Sequence, residues 1–135
     1  MKRLIVRKEF DTPVDCMARV GFVPVGTTNT VEVYVWTNDP GKTPHFHVRK
    51  YGKNGHYEWE TCIRYDSAEN FLHGRHKDKL PDRKIAKQLD DMLRHESADF
   101  KGKTYWDMCI YAWNSNNSSV RLDPEIKQPD YTSLV

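Results

Sequence analysis

Residues 44–65 read Pro44-His45-Phe46-His47-Val48-Arg49-Lys50-Tyr51-Gly52-Lys53-Asn54-Gly55-His56-Tyr57-Glu58-Trp59-Glu60-Thr61-Cys62-Ile63-Arg64-Tyr65. Two β-forming runs flank Asn54-Gly55, a dipeptide that accepts positive φ at both positions and so favours a tight hairpin turn. With a two-residue turn, Lys53 faces His56. The pairing then continues as Tyr51 with Glu58, Arg49 with Glu60, His47 with Cys62 and His45 with Arg64. Side chains alternate across a strand, so these residues share one face. Phe46, Val48, Trp59, Thr61 and Ile63 share the other face, which is apolar enough to need a cover.

The neighbouring run Val31-Glu32-Val33-Tyr34-Val35-Trp36-Thr37 divides the same way. Val31, Val33 and Val35 extend the apolar face, while Glu32, Tyr34 and Trp36 extend the polar one. Asn38-Asp39-Pro40-Gly41-Lys42 is a turn by composition, and Leu4–Arg7 and Val20–Val25 read as further strands. Beyond residue 80 the period changes. Ile85, Leu89, Met92 and Leu93 recur at helical spacing behind Pro81, with Lys87–Asp91 and Asp90–Arg94 as i,i+4 pairs on the wet face. Gly102 interrupts the pattern, and Trp106, Cys109, Ile110 and Trp113 form the stripe of a second helix.

These signals predict an α+β fold: an antiparallel sheet of about four or five strands with two helices packed on one face. Phe46, Val48, Ile63, Ile85, Leu89, Met92, Ile110 and Trp113 are expected to share one core. Residues 1–115 are expected to form a single domain, and residues 116–135, polar at first and then carrying Pro124 and Pro129, an extended C-terminal tail. The second sheet face is expected to display its histidines, cysteine, arginines and aromatics to solvent.

Composition narrows the function classes. The 135 residues carry a net charge of +2, too balanced to imply a nucleic-acid partner from charge alone. The 12% aromatic content argues against disorder. No apolar run approaches the roughly 18–20 residues of a membrane helix, and the N-terminal segment returns to charge too soon for a secretory signal. Cys16, Cys62 and Cys109 are widely spaced and odd in number, which disfavours a disulfide framework. A cytoplasmic protein with reduced thiols, without membrane association, is the expectation.

Three chemistries suit the polar face. His45 and His47 place two imidazoles on one strand face, and Cys62, His73 and His76 are further candidate ligands for zinc or iron, although no cofactor is the first expectation. The same histidines, with Arg49 as a catalytic candidate, suit a metal-free ribonuclease. One imidazole would act as base and the other as acid, with Arg49 or Arg64 stabilising the phosphorane. Thirdly, Tyr34, Trp36, Arg49, Arg64, Arg75 and Lys77 make a candidate binding surface for RNA or DNA, for a protein partner or for a second copy in a homodimer. Glu60 is explained by a salt bridge to Arg49. Cys109 is expected to be a small buried hydrophobe, and Cys16, which lacks a neighbouring basic group, an inert thiol.

The stretch Thr43-Pro44-His45-Phe46-His47-Val48-Arg49, preceded by Val33-Tyr34-Val35-Trp36, resembles a bacterial family of small proteins known as domain of unknown function 4160. Gly74, Leu80-Pro81 and Trp113 stand where that family has its Gly-x-Leu-Pro and terminal tryptophan, so the resemblance covers roughly residues 31–114. It implies a small bacterial or phage-type accessory protein, a binding or toxin–antitoxin-like component using the His45/His47 face. The alternative expectation is a histidine-dependent ribonuclease or metal-dependent enzyme.

Overall fold

The computed structural model describes residues 17–25, 28–36, 43–52, 56–71, 78–117 and 120–135. Four alternating segments pair as strands: β1 (Met17–Val25), β2 (Thr28–Trp36), β3 (His45–Tyr51) and β4 (Tyr57–Arg64). They form an antiparallel sheet in the order β1-β2-β3-β4. Helices α1 (Arg83–Arg94) and α2 (Tyr105–Asn116) follow, completing the expected α+β architecture. The expected Leu4–Arg7 strand and both turns, at residues 38–42 and at Asn54-Gly55, lie outside the described residues.

The hairpin register follows the alternation. His45 pairs with Arg64, His47 with Cys62 and Arg49 with Glu60. Near the turn the expected Tyr51–Glu58 pair is replaced by Tyr51–Tyr57, with a register shift after Lys50. The shift sets two residues of β4 against one of β3, a bulge that tightens strand twist. Glu58 is left outside the pairing, and its carboxylate meets Lys50 Nζ at 3.4 Å.

Phe46, Val48 and Ile63 meet Ile85, Leu89, Met92, Ile110 and Trp113 in one buried core, as the two periodicities require. Helix α1 starts where Asp82 accepts a hydrogen bond from the Ile85 amide at 2.9 Å. Helix α2 starts on a capping box between Thr104 and Asp107. Gly21 lets β1 approach both helices, because a Cβ there would lie 3.0 Å from Met92 Cε and 3.0 Å from Tyr105 Cε1. Tyr105 is itself held by the Ala98 amide, which donates to its hydroxyl at 3.2 Å. Gly21→Ala should therefore cost about 1–3 kcal/mol in urea unfolding through overpacking. An unchanged midpoint would mean that Met92 and Tyr105 yield freely.

Helix α2 is buried on more than its apolar stripe, because residues 120–135 run back over it. The segment is extended for most of its length, but it is docked rather than loose. Trp113 Nε1 donates to Val120 O at 2.6 Å, and Trp106 Nε1 donates to Ile126 O at 3.0 Å. Asn114 and Leu122 exchange two hydrogen bonds, at 2.7 and 3.0 Å. Tyr131 is fully buried, and its hydroxyl donates to Arg64 O at 2.6 Å. The Asp90–Arg94 pair forms, but Asp90 is not on a wet face. Its carboxylate accepts from the Tyr131 amide at 3.0 Å and from Gln128 Nε2 at 3.0 Å, so it anchors the C-terminal segment. Among the described residues, no helix is long and apolar enough to cross a membrane.

Candidate metal centre

The middle of the sheet's second face is buried, contrary to the expectation that it displays its polar side chains. Glu32, Tyr34, His45 and Cys62 are fully buried, His47 is 1% exposed and Arg49 is 5% exposed. Cross-strand pairing arranges them in rows. Tyr34, His47 and Cys62 lie side by side across β2, β3 and β4, and Glu32, Arg49 and Glu60 form the adjacent row. Large side chains then stack over one another. The Tyr34 ring lies on the His47 imidazole at 5.0 Å and 27°, with Trp36 edge-on to both. His45, at the start of β3, sits between Phe71 and Trp113, with ring centroids at 4.6 and 5.6 Å.

A buried carboxylate is costly unless it is paired and hydrogen-bonded. Glu32 meets that condition: it accepts from Arg49 Nε at 2.7 Å and from the Tyr51 hydroxyl at 2.9 Å, and it pairs with Arg19. The Arg49 guanidinium is sandwiched between the rings of Tyr34, at 4.1 Å, and Tyr57, at 4.3 Å. This cation–π stacking adds to the ion pair. The expected Arg49–Glu60 bridge is thus replaced by Arg49–Glu32. The Glu60 carboxylate instead lies 3.3 Å from His47 Nδ1.

Three ligand-type side chains also come together on this face. His45, His47 and Cys62 each offer a donor atom, and the three atoms lie within 4.8 Å of one another. Cys62 Sγ is 3.5 Å from His47 Nδ1. His45 Nδ1 donates to the Thr43 carbonyl at 2.8 Å, which places the lone pair of that ring on Nε2. Metal-binding histidines are held in the same way, by a hydrogen bond from the nitrogen that does not bind. Zinc bonds of about 2.0–2.1 Å to nitrogen and about 2.3 Å to sulfur set tetrahedral donor atoms roughly 3.3–3.6 Å apart.

No family model, curated protein or solved structure matches the chain. The site is accordingly characterised by its own chemistry.

The other candidate residues fall into two groups. His73, Arg75, His76 and Lys77 lie outside the described residues. Of the remaining members of the expected binding surface, Tyr34 and Arg49 are internal, and Trp36 is half-buried. Arg64 reaches the surface but is held by both carboxylate oxygens of Asp66, at 2.7 and 2.8 Å. That bidentate pair keeps the Asp66 carboxyl below the ordinary carboxylate range. Cys109 is fully buried, as expected, and desolvation raises its thiol far above the ordinary value, so it stays protonated.

Glu32 stands on the expected face but has no partner assigned from the sequence, and Glu60 has a partner other than the expected one. Glu60 stands two positions before Cys62 on the same face, hence diagonal to His47 across the hairpin, within reach of a long side chain. That diagonal was visible in the register. The choice of Arg49 between two carboxylates was not.

Proposed function

We propose that this chain is a metal-binding protein that holds a zinc-class ion through His45, His47 and Cys62. The observation that carries the reading is the convergence of two imidazoles and one thiol in a buried position. A thiolate with two imidazoles suits a borderline-soft divalent ion, zinc before iron. Both described cysteines are free thiols, which fits the reducing cytoplasm where such a site keeps its thiolate.

The two competing readings have less support. A ribonuclease acid and base must flank a phosphodiester, whereas the His45 and His47 rings are 5.1 Å apart and both are buried. A nucleic-acid platform needs open rings and free guanidinium groups, whereas Tyr34 is already stacked on His47 and Arg49 is bound to Glu32. The accessory, partner-binding role implied by the resemblance to domain of unknown function 4160 stays compatible with an ion that organises this end of the sheet.

The test is metal analysis of the reduced, purified chain after loading with zinc or, without oxygen, with ferrous iron. A stoichiometric ion that resists gel filtration and is lost in His47→Ala is the expected result. A parent protein that retains neither ion would overturn the reading.

A further inference from the structure

Resting on the metal reading, we infer that residues 120–135 are the ion-responsive element of this protein: their docking holds His45 ready for the ion, and the ion in turn holds them docked. The segment meets the surroundings of the site at three points. Trp113 Nε1 donates to Val120 O at 2.6 Å, and the Trp113 ring lies against the His45 imidazole, with centroids 5.6 Å apart. The Tyr131 hydroxyl donates to Arg64 O at 2.6 Å, and Arg64 is the residue of β4 paired with His45. The Tyr131 ring also stands edge-on to Phe46, at 5.9 Å and 78°, and Phe46 lies between the two histidines along β3.

The way this segment is held suits it to open separately from the sheet. Its backbone-to-backbone hydrogen bonds are local, joining Val120 to Asn117, Ile126 to Asp123 and Leu134 to Tyr131. Side chains make its bonds to the body of the protein, chiefly Trp106, Trp113, Asn114 and Asp90. Segments anchored in this way open at lower free energy than a strand ladder. Opening takes the acceptor from the Trp113 indole, and a donor left unpaired in the interior is costly, so the indole must turn towards water. His45 then loses one of the two rings that enclose it, Phe71 remaining on the other side. An ion that binds the closed arrangement better closes it, by the factor by which opening weakens the ion. Ion occupancy thus controls how firmly residues 120–135 cover α2.

The experiment is hydrogen exchange of the reduced parent chain, with chelator and with buffered zinc, comparing residues 120–135 with β3 and β4. With chelator, residues 120–135 should exchange ahead of the strands. Zinc should slow them by ~5–150-fold, the usual range of coupling between sites. Asp90→Ala supplies the converse. It removes the acceptor of the Tyr131 amide and of Gln128 Nε2, and it lies on α1, which carries no ligand. Exchange of residues 120–135 should quicken in this variant, and zinc affinity, read by competition with a chelator, should fall within the same range. A merely structural effect would lower the zinc-free melting temperature and leave the affinity unchanged.

Zinc that slows exchange in the strands but not in residues 120–135 would overturn the coupling and leave the metal centre intact. Residues 120–135 that exchange only together with the strands would overturn it as well, by showing that they have no opening of their own. A parent chain that retains no zinc would overturn the metal reading and this inference with it. The parent comparison decides the matter by itself should Asp90→Ala fail to fold.

Discussion

Arg49→Ala is expected to destabilise the protein by about 3–5 kcal/mol, because it leaves a buried carboxylate without its principal partner. Glu32 is fully buried, and the more buried of its two arginines is Arg49, bonded at 2.7 Å. The other, Arg19, has a side chain 41% exposed and is a weaker substitute. The substitution also empties the space between the Tyr34 and Tyr57 rings, losing packing as well as charge. Arg49→Lys should recover only part of the loss, since an ammonium lacks the planar fork that both bonds Glu32 and stacks between rings. Replacing both partners with apolar residues, as in Glu32→Met with Arg49→Leu, should cost less than Arg49→Ala alone, because no charge is then stranded. Urea unfolding at neutral pH measures all three. A loss below about 1 kcal/mol for Arg49→Ala, the scale of an exposed ion pair, would mean that water reaches Glu32.

Zinc should stabilise the reduced chain by about 4 kcal/mol when the free ion stands ~1,000-fold above its Kd, through binding to the folded state alone. His45→Ala and Cys62→Ser should each abolish that increment. The first removes a nitrogen donor whose orientation is already set by Thr43, and the second replaces a soft thiolate with a hydroxyl that zinc rarely takes. The measurement is the unfolding free energy of each chain with chelator and with buffered zinc. The difference between the two conditions isolates the ion from any change the substitution makes to the metal-free fold. An undiminished increment in either variant would remove that residue from the ligand set.

The strongest sequence signals were the periodic ones. Period two over residues 31–36 and 45–64 placed the valines, Phe46 and Ile63 on one face, and the helical spacing of Ile85, Leu89, Met92 and Leu93 supplied the cover. The Asn54-Gly55 signal carried the register as far as Arg49 with Glu60. It failed at Tyr51, because a bulge depends on how strand twist is relieved beside the turn. The docking of residues 120–135 was not legible, since single residues such as Leu122, Tyr131 and Leu134 make no period. Their hold on Asp90, Asn114 and the indole nitrogens is a set of long-range hydrogen bonds.

Local chemistry alone determined that His45, His47, Arg49, Glu60 and Cys62 share a face, because alternation along paired strands has no other outcome. It also determined that His47 stands beside Cys62. Only the tertiary structure decided that the middle of this face is buried, that Arg49 serves Glu32, and that Glu60 comes within 3.3 Å of His47. Those choices depend on the reach of long side chains over a twisted sheet and on which buried charge most needs a partner. Both are settled by desolvation in three dimensions, to which the order of residues along a strand is blind.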